Sequence, residues 1–415
     1  MTVKTTQYDV IVVGGGASGM MAAGRAGALG KKVLLLEKNA LLGEKLKISG
    51  GGRCNITNAE EDIHALLKHY GKAAPFLYSP FSQFSNKDTF TFFESLGLPL
   101  VIQARKRAFP KTEKAFDVFR AFEKYMKQGG VTVHTETKVS RILKEGDMIT
   151  GIIAGGVTYT ATSYIIATGG LSHPETGSTG DGFNWLKALG HSVATPTPTI
   201  VPISTKERWG HEISGVSLTF MKITFFVDGV KAFSKTGKLL FTHFGLSGPL
   251  ILNTAGKVGD LMHTGMVTAR IDSYPDTNHG ALEQKIINVF DSNKNKMIKN
   301  VIDDIVPHGM STAIWTLVPT IDPDTKVHSV TKEQRKILVD TLKALPLTIT
   351  GLLGFDKAVV ADGGIPLTEV DTKTMRSKIL KNLFITGDLL HINRPSGGYS
   401  LQLCWTSGFV SGSNA

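Results

Sequence analysis

Cysteine is nearly missing from this chain, with only Cys54 and Cys404 among 415 residues. Two thiols give no disulfide framework, which excludes the small stapled folds and suits a reducing compartment. No apolar run approaches the roughly 20 residues of a membrane helix, so no membrane partner is expected. Internal repeats are absent, and no basic segment is interleaved with aromatics. The net charge of +11 is spread along the chain and not gathered in a tail. It reads as a basic, solvated surface, and nucleic acid is not the expected partner. Lys4 ahead of an apolar run imitates a secretory leader. That run passes straight into glycines and an acid-terminated second strand, so secretion is excluded and a cytoplasmic location is expected. No metal site is expected either. A length of 415 residues, 41% of them hydrophobic, fills two or three domains with full cores.

The informative stretch is Tyr8 to Lys38, YDVIVVGGGASGMMAAGRAGALGKKVLLLEK. Val10 to Val13 reads as a strand buried on both faces. Gly14, Gly16 and Gly19 follow at G-x-G-x-x-G spacing. The first permits a tight turn, the second leaves no Cβ between backbone and pyrophosphate, and the third lets the next helix pack closely on the strand. That helix, expected from Ser18 to Leu29, ends at Gly30. A second strand, Val33 to Leu36, delivers Glu37, whose carboxylate is placed to accept ribose hydroxyls. Glu37 disfavours a 2′-phosphate, while Lys38 beside it acts the other way. This segment leaves FAD and NAD both open.

Further glycine motifs recur along the chain. Lys45 to Asn58, KLKISGGGRCNITN, offers backbone N–H groups at Gly50 to Gly52 and positive charge from Lys45, Lys47 and Arg53. Cys54 in this loop reads as a buried packing residue. Residues 59 to 130 read as mostly helical and peripheral, with a basic cluster Arg105-Lys106-Arg107, Lys111 and Lys114 taken as a solvated face. Val131 to Ala161 reads as a small β-meander of four short strands. A separate buried strand then ends in Ala167-Thr168-Gly169-Gly170, and Gly180-Asp181-Gly182 opens a helix. Pro196 to Pro202 marks a hinge into a β-rich region with a hairpin turn at Asp228-Gly229 and short strands Val230–Phe233 and Leu239–Thr242. From Ala281 to Leu345 the period is helical, with a capping box at Thr331 and Gln334. The C-terminal stretch returns to the first domain. A strand ends in Gly387-Asp388, and Gly397-Gly398 opens a final helix with free N–H groups. An acid there can bind the polyol of a ribityl chain, which NAD lacks. There is no second G-x-G-x-x-G.

The order of these pieces resembles the flavoproteins with two dinucleotide-binding domains, and more narrowly the BaiN-like bacterial flavoproteins. The resemblance rests on KLKISGGGRCNITN, Arg107 to Pro110, Ala167 to Gly170, Gly180 to Gly182, FTHFGLSGP at Phe241 to Pro249, Asp362 to Ile365 and GGYSLQ at Gly397 to Gln402. It runs nearly end to end. It implies an α/β fold, a Rossmann-like FAD-binding domain of that two-domain type, carrying a β-barrel-like insert and a small helical insert. The implied plan is an N-terminal FAD-binding part over 1–195, a β-rich insert over 196–275, a helical insert over 276–350 and a C-terminal FAD-binding part over 351–415. By the same resemblance, Gly14, Gly16, Ala17, Ser18 and Gly19 surround the pyrophosphate, and Glu37 and Lys38 sit at the adenosine. Lys45, Gly52, Arg53 and Asn55 lie over the cofactor, Val139 meets adenine, and Thr168 and Gly169 line the ADP side. Asp388 binds ribityl hydroxyls, and Gly398, Tyr399, Ser400 and Leu401 approach the isoalloxazine. The chain departs from the family pattern at His391, where an acid is common, at Arg394, where a small residue is common, and at Ser400, where Asn is common.

A bound flavin performs hydride transfer while the protein supplies position and charge. His173, His243, His391 and Tyr399 adjoin cofactor-facing motifs, and His391 or Tyr399 is the expected proton donor or acceptor. Arg394 is expected to orient a substrate carboxylate or to cover the flavin's electron-rich edge. The expected activity is FAD-dependent reduction of an activated C=C bond in a small molecule, with NAD(P)H as a transient donor. The alternatives are an oxidase of a small amine or amino-ketone that releases peroxide, and an FAD-dependent RNA-modifying protein.

Overall fold

The computed structural model describes residues 7–415. The chain forms two compact units, one from residues up to Pro198 together with Val359–Ala415, the other Thr199–Ala358. No helix among the described residues is long and apolar enough to cross a membrane.

The first unit is built on a seven-stranded sheet. Five of its strands run parallel, in the spatial order Thr132–His134, Val33–Leu36, Gln7–Val13, Val157–Ile166, Leu383–Ile385. Numbered along the chain, that order is 3-2-1-4-5. The direction of winding reverses between Gln7–Val13 and Val157–Ile166, and a doubly wound sheet binds its ligand at such a reversal, beyond the carboxyl ends of the strands. Gly14 and Thr168 stand there.

One strand differs from the sequence expectation. The last meander strand and the Ala-Thr-Gly strand are a single ten-residue strand, Val157–Ile166. Its first residues pair antiparallel with Met148–Ala154, and its last run parallel between Gln7–Val13 and Leu383–Ile385. The polar Thr160, Thr162 and Ser163 mimic a break because the strand changes partners there.

The helix Ala17–Ala28 owes its Ala, Gly and Met composition to close packing on both sides. A Cβ on Gly408 would lie 2.5 Å from the Ser18 carbonyl, and one on Gly412 would lie 2.3 Å from that of Ala22. These glycines, four apart in the final helix Tyr399–Asn414, let the two backbones nearly touch. Contrary to the sequence expectation, residues 59–130 are not peripheral. Phe93 and Phe122, from the helices Asn86–Ser95 and Ala115–Gln128, pack on the buried Trp405 at ring distances of 5.7 and 4.9 Å. The Thr89 hydroxyl donates to Gln402 Oε1 at 2.9 Å.

A buried polar network ties the C-terminal segment into this unit. His191 Nδ1 lies 2.7 Å from Glu369 Oε2, and its Nε2 lies 2.9 Å from Ser377 Oγ. Ser377 Oγ accepts from the N–H groups of Ile379 and Leu380, so its own hydrogen goes to His191. The imidazole is therefore neutral and protonated on Nδ1. Burial, only partly offset by Glu369, pushes the His191 pKa below its ordinary 6.5. The unfolded chain then binds a proton that the folded chain refuses, so stability is complete above about pH 6.5 and falls as pH drops below it. Glu369 is held below its ordinary 4.5, because hydrogen bonds from Ser192 and His191 outweigh the effect of burial. Its contribution is lost at still lower pH. Urea denaturation between pH 5 and 8 should show stability rising with pH over the lower half of that range, and His191→Gln should flatten the rise.

The second unit is a closed barrel with strand order Ile203–Thr205, Gly245–Ser247, Val230–Thr242, Ser217–Val227, Val267–Asp272, Leu345–Leu352. The expected turn at Asp228-Gly229 is present, both residues being left-handed. The two short strands expected after it are one strand of 13 residues. The helices His279–Ser292, Ser311–Leu317 and Lys332–Lys343 interrupt the barrel before its closing strand and share its core. Thr331 and Gln334 form the expected capping box. Thr331→Ala should cost about 1 kcal/mol in chemical denaturation.

Candidate cofactor-binding site

The first strand ends in Gly14, whose φ of 105° brings the turn against Ala167. A Cβ there would sit 2.6 Å from the Ala167 carbonyl oxygen, and one on Gly19 would sit 1.8 Å from the Gly14 oxygen. Gly16 is different: a Cβ there would meet nothing within 4 Å. Gly16 caps the helix Ala17–Ala28 with no side-chain bond, so the first-turn N–H groups face open space at the positive end of the helix dipole.

Beside this turn lies a crevice walled by Gly14, Glu37, Val139, Thr168, Asp181 and Trp185, among others. Glu37 is buried and accepts from the N–H groups of Gly15 at 2.7 Å and Asn39 at 2.8 Å. Each carboxylate oxygen keeps a further lone pair. Lys38 reaches Thr179 Oγ1 at 2.5 Å and Asp181 Oδ2 at 2.8 Å. Burial works against the charge of Asp181, but the bonds from Lys38 and Thr179 outweigh it and hold the carboxyl below its ordinary range. Thr168 Oγ1 is buried without a partner.

Trp185, Thr137 and Lys138 also wall the crevice and were not singled out in the sequence. Trp185 stands four residues after Asp181 in the helix Asp181–Ala188. Extending the Gly-Asp-Gly motif by one turn along its own face would have found it.

Of the three basic residues on the glycine loop, only Lys45 turns toward this region. Its Nζ donates to Ser172 at 3.0 Å and lies 4.0 Å from Asp388. Burial pushes its ammonium pKa down and Asp388 opposes this, the net direction being down. Lys47 pairs with Glu44. Arg53 lies over the Phe109 ring and 3.4 Å from both Gln103 and Glu113. Gly50, Gly51 and Gly52 all take left-handed φ values, and a Cβ on Gly51 or Gly52 would meet open space. Cys54 is buried, and burial, partly offset by Ser49, pushes its thiol up to about 12. It serves packing.

The C-terminal segment closes on the N-terminal one. A Cβ on Gly387 would lie 2.5 Å from Ser18 Oγ, and one on Gly170 would lie 3.2 Å from the Asp388 carbonyl oxygen. The Asn55 amide sits between two carbonyls and one N–H. In the orientation that satisfies all three, its nitrogen donates to Thr57 and Ala108, and its oxygen accepts from Gly398 at 2.9 Å. Gly398, with φ 102°, has no room for a side chain, since a Cβ would be 2.3 Å from the Thr57 carbonyl carbon.

Arg394 is buried. Its guanidinium bonds Asp388 Oδ1, the Ile392 carbonyl at 2.6 Å and Ser400 Oγ at 3.1 Å, so it presents no free fork. Tyr399 is buried with its ring 4.7 Å from that of His69, and its carbonyl accepts from Tyr70. Burial, aided by the charge of Glu60, pushes the Tyr399 phenol up to about 12, so it keeps its proton at neutral pH. Leu401 packs partly buried on the core. His391 is exposed, 3.5 Å from Asp362. His173 pairs with Glu175. His243 belongs to the second unit.

The residues fit a long dinucleotide. Gly16 is a cradle that a Cβ would fill, and an acid, Glu37, and an aromatic, Trp185, wall the crevice beside Gly14.

A 3-2-1-4-5 sheet with an open glycine turn at its reversal defines an α/β dinucleotide-binding protein. The chain belongs to the family described as the HI0933-like protein Rossmann domain, which it matches over residues 8–414. It is 26% identical over 406 residues to a 3-dehydro-bile acid delta(4,6)-reductase of Clostridium scindens, covering 97% of each chain. A ribosomal RNA dihydrouridine synthase of Haemophilus influenzae is 27% identical over 412 residues, with 98% of each covered. Among solved structures, a 3-ketosteroid-delta4-(5alpha)-dehydrogenase from Rhodococcus jostii shares the fold. Its TM-score is 0.55 at 14% identity, over 100% of this chain and 98% of that one.

Proposed function

We propose that this chain is an FAD-dependent oxidoreductase that reduces a C=C bond conjugated to a carbonyl, with NAD(P)H as a transient electron donor. The observation that carries this reading is the convergence, within one compact unit, of the open Gly16 cradle, the crevice walled by Glu37 and the Gly387-Asp388 and Gly397-Gly398 turns from the far end of the chain.

Gly14, Gly16, Ala17, Ser18 and Gly19 would hold the pyrophosphate, with Lys45 as counter-charge. Glu37, Lys38, Val139, Thr168 and Gly169 would hold the adenosine half. Asp388 would take the ribityl hydroxyls. Gly52, Asn55 and Gly398 to Leu401 would border the ring, whereas Arg53 is engaged by Phe109, Gln103 and Glu113. When bound, the flavin would supply hydride transfer between donor and substrate. Tyr399, buried against His69, and His391, at the surface beside Asp362, are the two candidate proton donors. The names of the relatives support the choice of bond. A 3-oxo-4,6-diene and a uracil ring both carry a double bond conjugated to a carbonyl, which accepts hydride at its far carbon.

The test begins with the purified protein, heated to release the ligand, which should be FAD. Anaerobic mixing with NADH or NADPH should bleach the bound flavin, and an enone should restore its colour. Bleaching by a small amine, with peroxide released in air, would replace this reading with the oxidase.

A second reading keeps the chemistry and places the double bond in RNA. It is supported by the dihydrouridine synthase relative and the net charge of +11. RNA binding that weakens steeply with salt would favour it, and indifference to RNA at low ionic strength would remove it.

A further inference from the structure

We propose that Asp181 withholds Lys38 from the ligand and so reserves the crevice for an adenosine whose ribose 2′-hydroxyl is free, shutting out 2′-phosphorylated nucleotides such as NADPH. This deepens the dinucleotide reading of the crevice and rests on it.

Glu37 and Lys38 are neighbours that give opposite signals. A carboxylate at the end of the second strand suits a ribose diol, whereas a basic residue there accommodates a 2′-phosphate. The structure decides between them by what each one touches. Lys38 Nζ donates to Thr179 Oγ1 at 2.5 Å and to Asp181 Oδ2 at 2.8 Å. The Thr179 hydroxyl gives its own hydrogen to the same Oδ2 at 2.9 Å, so three side chains close a ring. The side chains of Lys38 and Asp181 are both about three-quarters buried. Glu37 is buried, takes its two bonds from backbone N–H groups and forms no ion pair among the described residues. Its charge therefore meets a 2′-phosphate unopposed.

Four charged residues wall the crevice: Glu37, Lys38, Lys138 and Asp181. Two acids against two lysines leave no net attraction for a further anion. Lys138 is exposed, where water and salt screen it, and it adds to the field that keeps Asp181 ionised. The contact between Lys38 and Asp181 is also built into the chain on both sides. The amide of Asn39 donates to the Thr176 carbonyl at 2.9 Å, and a Cβ on Gly177 would lie 2.6 Å from that amide nitrogen. The loop is thus clasped to the segment after the second strand, which brings Thr179 and Asp181 to Lys38. One consequence concerns the donor: NADPH would reduce the enzyme from elsewhere, without displacing the dinucleotide held here.

The test compares ADP-ribose with 2′-phospho-ADP-ribose by calorimetric titration of the full chain freed of bound nucleotide. The wild type should favour ADP-ribose by at least about tenfold. Asp181→Asn keeps the shape, removes the charge that holds Lys38, and should cut that preference about tenfold. Adding Lys38→Met to Asp181→Asn should return the preference to the wild-type value, since the gain runs through the released ammonium. Equal affinities in the wild type, an unmoved preference in Asp181→Asn, or a preference that stays low in the double variant would each overturn the proposal. Should Asp181→Asn fail to fold, Thr179→Val takes one of the two partners from Lys38 and must shift the preference in the same direction; an unmoved preference there overturns the proposal as well. A chain that binds neither probe removes the dinucleotide reading and this inference together. Binding of ADP-ribose with a preference that the variants do not move removes only this one.

Discussion

Gly16→Ala should leave the protein folded but bind FAD roughly 100-fold more weakly, whereas Gly19→Ala should weaken the fold and the cofactor site together. Both residues belong to one motif, and the space around them separates the two outcomes. Gly16 has φ −80° and ψ −170°, extended backbone that alanine adopts freely, and its added Cβ would meet nothing within 4 Å. The stability of the apoprotein should therefore change by no more than about 0.5 kcal/mol. The same methyl would stand where phosphate oxygens must approach the helix N-terminus. A clash of about 3 kcal/mol weakens FAD binding roughly 100-fold. At Gly19 the methyl would lie 1.8 Å from the Gly14 oxygen and 3.2 Å from the Ala167 Cβ. That backbone cannot retreat freely, because Gly14 N–H is bound to the Leu36 carbonyl at 2.8 Å. The cost is about 3 kcal/mol or more. Titration of each apoprotein with FAD, beside its denaturation curve, checks both halves. Wild-type FAD affinity in Gly16→Ala would show that the cradle does not receive phosphate.

The parts of this site that were legible in the sequence are those where one local backbone need selects one residue type. Gly14 requires a positive φ, Gly19 a missing Cβ, and Glu37 the end of a short buried strand. All three lie in one short stretch of chain, so spacing alone carries the information. The pairing of Thr331 with Gln334 is local in the same way.

What stayed hidden depends on partners far along the chain. Val157–Ile166 reads as two strands because its neighbours change midway. Val230–Thr242 reads as two because Ser234 to Lys238 is polar, and only the facing strand Ser217–Val227, with its register shifts, keeps it extended. Nothing near Phe93 or Phe122 announces Trp405, which comes from the opposite end of the sequence. The same holds for Arg394. Its charge suggests a substrate clamp, and only the fold shows the carboxylate of Asp388 against it.

Asp388→Ala should be among the most destabilising single substitutions in the first unit, because it strands the buried Arg394 guanidinium and removes the carboxylate that faces Lys45. Breaking a buried ion pair from one side costs about 3–5 kcal/mol. The lower end applies here, since Lys45 keeps some access to water. Arg394→Met should cost less, because Asp388 then still faces Lys45 at 4.0 Å and a flexible apolar side chain fills the space. In the double variant, the loss of Asp388 no longer abandons the guanidinium. The two effects should therefore fall short of additivity by at least about 1 kcal/mol. Urea denaturation of the four apoproteins gives this cycle directly. Additive losses, or an Asp388→Ala variant as stable as wild type, would mean that the guanidinium is neutralised by something other than Asp388. The cycle also bears on the cofactor. Asp388 is held by Arg394 through Oδ1, while Oδ2 faces Lys45 at a distance too long for a hydrogen bond. That leaves the second oxygen able to accept a polyol hydroxyl without giving up the bond that keeps the carboxylate in place.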